Sequence, residues 1–430
     1  MKIKKDISPT MCAFPWMHLH AWPDGKAMLC CIAHGGEKRG EVGDFSTHSY
    51  KEIMNSEKMK QVRLDLMNGK QIPECEVCWK DESLGKQSFR KNSMLSSNYD
   101  IHELLLKTHP DGTIEDPKML YMDFRFSNLC NLGCQTCGSP LSSTIANNRE
   151  DNTIEINHLK SKNVLSERGT ITSFVYARPN FMEEDVYPYL DDCREFYFAG
   201  GEPLMHQEHL DILKYLNENE LYNKQISYST NLTLTKWKGI DFIEIWKNFR
   251  RMLFWCSIDG QGDQLEYIRE FSKHNNVFKN LDKILRLKES SGPDKQYKVC
   301  ICYTHSIYNA YYTKEFFQFM YDSGFMDRVD SIDINYAYSI ENSVSILPDF
   351  AKKELKEKRR KDRETEVMQY AFTKFGNLEH YFDTIDSIID EKADPQAFDK
   401  LITYKLGEQK EKIEKALPWL ASVIKRHRVV

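Results

Sequence analysis

Apolar and polar residues change their spacing several times along the chain. From Lys118 to about Tyr338, short apolar runs alternate with stretches of helical periodicity. Met119–Phe126, Glu195–Ala199, Gln225–Ser229, Met252–Ile258, Tyr297–Thr304 and Ser331–Tyr336 are short and rich in aromatic or β-branched residues, which predicts strands. His209–Asn217, Phe242–Asn248, Val277–Leu287 and Lys314–Asp322 repeat apolar residues at helical spacing and predict amphipathic helices. Alternation of this kind implies parallel strands joined by crossover helices. Such units fall short of the eight that close a full barrel, so the expected class is α/β, a partial, open (β/α)6 barrel over 118–340. The stretch 140–192 is too long for one crossover and predicts extra loops or helices there.

The flanks differ. Residues 1–95 are rich in turns, punctuated by Pro15, Pro23-Asp24-Gly25, Gly35-Gly36 and Pro73. Asp24-Gly25 lies between Met17–Trp22 and Lys26–Cys30 and predicts a hairpin, and a helix is expected from Ser49 to Met67. Residues 96–117 read as a connector containing the turn His109-Pro-Asp-Gly112. Beyond Leu347-Pro348 the region 341–430 is charged and helical, with helices expected at 378–391 and 395–425. Residues 351–365 hold eight basic and four acidic side chains, which suits a solvated helix face or a contact for an anionic partner.

Hydrophobic residues make up 41% and charged residues 29%, enough for a sizeable core in a soluble chain. Lys plus Arg (59) against Asp plus Glu (64) leaves a net charge of −5, which argues against a nucleic-acid coat protein. No apolar run is long enough for a membrane span, and the first residues lack a signal peptide, so a cytoplasmic protein without a membrane partner is expected. The 12 cysteines change the picture, because they are clustered. Cys12, Cys30, Cys31, Cys75 and Cys78 lie in the first fifth and Cys130, Cys134 and Cys137 within eight residues. Tight spacing in a reducing compartment points to metal or cluster ligation rather than disulfides.

Cys130-Asn-Leu-Gly-Cys134-Gln-Thr-Cys137 directly follows the first predicted barrel strand. Three thiolates on one short loop can hold three irons of a [4Fe–4S] cubane and leave the fourth open to a ligand. This spacing, followed by Phe198-Ala-Gly-Gly-Glu-Pro203 at the end of the next predicted barrel strand, resembles the radical S-adenosylmethionine (SAM) superfamily. The resemblance implies an enzyme whose open iron chelates SAM. Cleavage of SAM at the reduced cluster then gives a 5′-deoxyadenosyl radical that takes a hydrogen atom from substrate. Gly200, Gly201, Glu202 and Pro203 match the family's GGEP stretch at the methionine amino group. Thr230 and Asn231, and Ser257 and Asp259, lie where the family places further SAM contacts; they also read as ordinary strand-end turns. One position departs from the pattern, since the residue before the third cysteine is usually aromatic and here is Thr136.

Cys12-x12-Gly25-x4-Cys30, followed by Cys75-x2-Cys78, resembles the auxiliary-cluster half of SPASM and twitch domains, here placed ahead of the barrel. The resemblance implies that Cys12, Cys30, Cys75 and Cys78 hold a second [4Fe–4S] cluster. Cys31 is an alternative to Cys30, and a four-cysteine zinc knuckle is an alternative to the cluster. His18, His20 and His34 read as packing or surface residues. Cys300 and Cys302, two apart in a strand, share a face and are either buried structural thiols or hydrogen donors to a substrate radical. Tyr303, Tyr336 and Tyr338 read as packing or as a cavity lining.

Proteins of this kind commonly act on ribosomally made peptides by crosslinking, epimerisation or backbone excision, so a peptide substrate is expected. No winged-helix leader-binding domain is evident, and a separate leader-binding partner is expected, with a reductant such as flavodoxin or ferredoxin. Radical modification of a small molecule or of RNA is the alternative enzyme reading. An iron–sulfur relay or zinc-stabilised interaction protein is the alternative without turnover.

Overall fold

The computed structural model describes residues 7–33, 40–83, 85, 87–96, 98–148, 153–337, 339–376, 378–403 and 409–427; His34, Gly35, Gly36 and Tyr338 lie outside these. The chain divides into two compact units. The first comprises Met1–Cys130, Ser139–Ser229 and Asn248–Met252, and the second Asn131–Gly138, Thr230–Lys247 and Leu253–Val430.

Strands of the first unit are β1 (His18–Ala21), β2 (Lys26–Met28), β3 (Glu41–Asp44), β4 (Tyr121–Phe124), β5 (Glu195–Phe198) and β6 (Gln225–Thr230), in spatial order β3-β2-β1-β4-β5-β6. The expected hairpin forms at Asp24-Gly25, with β2 antiparallel to β1. Gly25 has φ +89°, and a β-carbon there would stand 2.7 Å from Asp44 Oδ1, so only glycine fits this turn. Strand β1 also runs parallel to β4, His20 opposite Asp123, and β4, β5 and β6 continue in parallel. The Cys-rich segment thus adds a strand to the barrel strands, which its short, weakly alternating sequence did not announce.

One face of these strands is apolar: Leu19, Met122, Phe124, Phe196, Phe198, Ile226 and Tyr228 are all buried. Phe45 packs on Phe124 at 5.1 Å, and Phe174 meets Phe181 edge-on at 4.7 Å. Aromatic pairs of this kind add to the burial that drives folding. The long 140–192 stretch supplies part of this cluster, and also carries helices Ser143–Asn148 and Thr153–Ser161.

The helix expected from Ser49 to Met67 is two helices, Tyr50–Met54 and Glu57–Met67. Asn55 breaks it, because its side chain bonds both backbone groups of Ile114, at 2.8 and 2.9 Å. Ser49 and Ser56 then cap the two N-termini. Arg63, fully buried, donates to the carbonyls of Pro15 (2.8 Å), Gly112 (2.6 Å) and Met54.

The second unit holds a small hairpin of β7 (Lys236–Trp237) and β8 (Ile240–Asp241), most of β9 (Arg251–Ser257), and β10 (Gln296–His305) parallel to β11 (Ser331–Tyr336). Helices His274–Glu289 and Thr313–Asp322 bury Val277, Leu281, Ile284, Leu285, Phe316, Phe317 and Met320 at helical spacing. Among the described residues of the expected 395–425 helix, the helices are Ala397–Leu401, Lys410–Ala416 and Pro418–His427. Pro418 starts the last, because proline cannot continue a preceding helix. The α/β class with parallel strands and interleaved helices is as expected; no closed barrel is found among the described residues. No described helix is long and apolar enough to cross a membrane.

Arg63→Met removes three donors from buried carbonyls and should cost about 3 kcal/mol, read as a lowered urea midpoint. An unchanged midpoint would show that these bonds add nothing to the N-terminal packing.

Candidate functional site

Loop 125–138 leaves the end of β4, its residues to Cys130 belonging to the first unit and Asn131–Gly138 to the second. In the first unit, Asn128 is 1% exposed and clamps the loop's start. It accepts from the Thr172 N–H (2.7 Å) and donates to the carbonyls of Ser139 (3.0 Å) and Thr170 (3.3 Å). Cys130 is pinned on both backbone groups. Its N–H donates to Ser143 Oγ (3.2 Å) and its carbonyl accepts from Thr144 Oγ1 (2.7 Å).

Between them, the Leu129 carbonyl accepts two hydrogen bonds from the glycine turn. The Glu202 N–H reaches it at 2.8 Å and His206 Nε2 at 3.2 Å. Burial pushes His206 down to about 4, so the imidazole is neutral and donates through Nε2–H. Gly200 and Gly201 have φ +80° and +54°. A β-carbon on Gly200 would stand 2.8 Å from Arg125 Cδ, and one on Gly201 would strike the Leu129 carbonyl oxygen. Both glycines are therefore required twice over, by conformation and by contact. Glu202 is buried and caps the Pro203–Met205 turn through the Leu204 N–H.

In the second unit, Asn131 Nδ2 donates to Thr233 Oγ1 (2.9 Å), while Asn131 Oδ1 accepts from Asn231 Nδ2 (3.0 Å). The N–H groups of Gly133 and Gln135 donate to the carbonyls of Glu270 (3.1 Å) and Ile268 (2.8 Å). Asn231 is thus a brace of the loop, and Thr230 is buried with Oγ1 accepting from the Leu232 N–H at 3.2 Å. Ser257 is half-buried at the end of β9. Asp259 is fully buried, accepts from the Thr304 N–H (2.7 Å) and pairs with Arg269 Nε at 2.8 Å. Burial alone would lower the Arg269 guanidinium. The charges of Asp259, Cys134 and Cys137 outweigh it and hold Arg269 above its usual range. Arg269 was not legible in the sequence: it belongs to no motif, and only the fold brings it near two loop thiols.

The N-terminal thiols share one neighbourhood. Cys12, Cys30 and Cys78 are buried and Cys75 half-buried, and each is pushed up chiefly by burial, Cys12 to about 11. Cys12 feels Cys78, Cys30 feels Cys12 and Cys75, and Cys75 feels Cys12 and Cys78. Cys31 is the strongest charge influence on Cys30, and is itself influenced by Asp123, Arg125 and Cys78. Arg90 braces this group: it pairs with Glu82 through Nε (2.9 Å) and Nη2 (2.5 Å), bonds the Met11 carbonyl (2.6 Å) and covers the Trp79 ring at 4.8 Å. Among the described residues, no three Cys, His, Asp or Glu side chains are close enough together to hold one metal ion. The donor chemistry nevertheless suits a cluster, because buried thiols ionise only against a compensating cation and four thiols satisfy four irons.

Cys302 is half-buried opposite Asp333, whereas Cys193, Cys256 and Cys300 are buried. Tyr303 is buried with its hydroxyl on the Asn309 carbonyl (3.3 Å), and the Tyr336 hydroxyl meets the Tyr381 carbonyl (3.4 Å).

Gly201→Ala should cost about 2 kcal/mol through its strained φ and the Leu129 contact. The expected readout is a lower unfolding midpoint; wild-type stability would contradict the packing described.

Residues 12–79 match SPASM, an iron–sulfur cluster-binding domain. No curated protein sequence matches significantly. Among solved structures, native anSMEcpe with bound AdoMet is similar at 17% identity and a TM-score of 0.36, covering 66% of this chain and 66% of that one. SuiB of Streptococcus suis bound to S-adenosylmethionine is similar at 12% identity and a TM-score of 0.32, covering 71% of this chain and 62% of that one. TYW1 with a lysine–pyruvate adduct is similar at 14% identity and a TM-score of 0.28, covering 55% and 70%. The chain spans 64–66% of the length of the anSMEcpe structures. Residues 12–79 are therefore a SPASM-like iron–sulfur cluster-binding module, standing ahead of the Cys130-x3-Cys134-x2-Cys137 and Gly200-Gly201-Glu202-Pro203 motifs.

Proposed function

We propose that the protein is a radical SAM enzyme that modifies a ribosomally made peptide. The observation that carries the SAM site is the pair of bonds from the glycine turn to the Leu129 carbonyl, next to Cys130. Cys130, Cys134 and Cys137 would hold the catalytic [4Fe–4S] cluster, and Gly200, Gly201, Glu202 and Pro203 would seat the methionine end of SAM. With both bound, the chemistry supplied is reductive cleavage of SAM to a 5′-deoxyadenosyl radical, which takes a hydrogen atom from substrate.

The chain's own part is positioning and charge. Leu129, Asn128 and Ser143 fix where Cys130 stands, and Arg269 sets a positive charge near Cys134 and Cys137, which favours their thiolates. Asp259 and Asn231 are first of all structural here, since each already holds backbone or loop partners. Thr230 and Ser257 stand at strand ends as further candidates for contact with SAM.

Cys12, Cys30, Cys75 and Cys78 would hold the auxiliary cluster, with Cys30 favoured over Cys31 by the Gly25-x4-Cys30 spacing and by its burial. A peptide substrate accords with one similar structure, anSMEcpe with bound AdoMet and the Cp18Cys peptide. A flavodoxin or ferredoxin would supply the electron, and a separate leader-binding protein would deliver the peptide.

Replacing Cys130, Cys134 and Cys137 by Ala should abolish 5′-deoxyadenosine formation from SAM under dithionite, read by liquid chromatography. Retained formation would refute the catalytic assignment. Replacing Cys75 and Cys78 by Ala should leave some of this uncoupled cleavage while removing about four irons per chain. Unchanged iron would remove those residues from cluster binding.

A further inference from the structure

Side chains alternate along β10, so its two faces serve different neighbours. Tyr303 stacks on Phe316 of helix Thr313–Asp322 at 5.2 Å, which marks the face of Tyr303 and His305 as the one covered by helices. Cys302 and Thr304 belong to the other face. At the end of the strand His305 stands opposite Tyr336 of β11, and a cavity of about 300 Å³ opens there. The turns Ile340–Asn342 and Val344–Ile346 and helix Leu378–Asp390 contribute much of its wall. All of these residues belong to the second unit.

The wall carries unspent polar groups. His305 is 3% exposed, and its Nε2 has no hydrogen-bond partner among the described residues. A buried polar atom left in this way is costly, and a guest that supplies the partner recovers the cost. Burial and the charge of Arg359 push the His305 imidazole well below its usual value, so the ring is neutral. Arg359 is itself buried, tied to Asp386 through Nε (2.6 Å) and to the Phe382 carbonyl through Nη2 (2.8 Å). Its Nη1 is buried without a partner among the described residues. The cation that disfavours a proton on His305 favours negative charge beside it. At the cavity's opening the exposed Lys392 and Glu391 offset each other. The hydroxyls of Ser343 and Ser345 share one hydrogen bond at 2.9 Å, which leaves one hydroxyl proton for a guest.

We infer that this cavity binds a small monocarboxylate with a short apolar chain, its carboxylate on His305 Nε2–H and a serine hydroxyl, its chain against Ile340 and Ile388. A neutral imidazole has one proton to place on either ring nitrogen, and a carboxylate oxygen holds it on Nε2. A cationic guest is repelled by Arg359. A dianion finds only one buried cation, already paired with Asp386, and is left unbalanced. The volume lies at the small end of ligand pockets, which suits a guest of a few carbons. The site is on the face of β10 away from Cys302, so it is additional to the proposed SAM chemistry and not part of it.

The test compares wild type, His305→Gln, His305→Leu and Ile340→Ser by titration calorimetry and thermal unfolding. Butyrate is the probe, with butan-1-ol and butylammonium as neutral and cationic molecules of the same length. Butyrate should bind wild type saturably and raise its Tm, with butan-1-ol about tenfold weaker and butylammonium without effect. His305→Leu keeps the bulk but no donor and should weaken butyrate about tenfold, whereas His305→Gln keeps an N–H and should retain most of the binding. Ile340→Ser changes an exposed position of the wall, so it should fold and bind butyrate several-fold more weakly; it locates the site even if neither His305 variant folds. Absence of saturable butyrate binding to wild type, equal binding of butan-1-ol, or wild-type affinity in His305→Leu or Ile340→Ser overturns the proposal.

Discussion

The carbonyl oxygen of Leu129 is the point on which the glycine turn and the start of the cysteine loop depend. It has two lone pairs and spends both on one turn, through the Glu202 N–H and His206 Nε2. The approach is close enough that Gly201 admits no β-carbon. The residue next to a candidate cluster ligand and the turn that would seat SAM are therefore one rigid piece. Asn128 extends it to the 139–172 segment, and Ser143 and Thr144 carry it to Cys130 itself.

Charge is arranged to the same end. Thiols in a buried setting resist ionisation, and cluster binding requires that they ionise. Arg90 beside the N-terminal thiols and Arg269 beside Cys134 and Cys137 supply fixed positive charge where it helps. Each guanidinium is itself held by a carboxylate, Glu82 or Asp259. Such pairs are strongly position-dependent: removing one partner leaves a buried charge uncompensated.

Much of this was legible in the sequence. The six barrel strands lie close to the expected positions because their patterns are local and strong; β11, Ser331–Tyr336, begins and ends as expected. The cysteine and glycine motifs could be read because each is a short local pattern, at 130–137 and at 200–203. What could not be read depends on long-range partners. Asn55 breaks a helix because Ile114 lies across from it, and β1 joins β4 through a pairing 103 residues apart. Arg269, Arg90 and Asn128 carry no local signature. His20 is buried, as a packing residue would be, and its bond to Asp123 also spans 103 residues. Pro418 was legible and decisive, since a helix through 395–425 runs against proline's missing N–H.

The central claim is that this chain carries an open-iron cluster at Cys130, Cys134 and Cys137 and a second cluster in its SPASM-like module. The most direct measurement is iron and sulfide content with Mössbauer spectroscopy on anaerobically reconstituted protein, comparing wild type with the triple alanine variant. The account predicts about eight irons in two cubanes, falling to about four when the three cysteines are replaced. An iron content that does not change between the two proteins would contradict it.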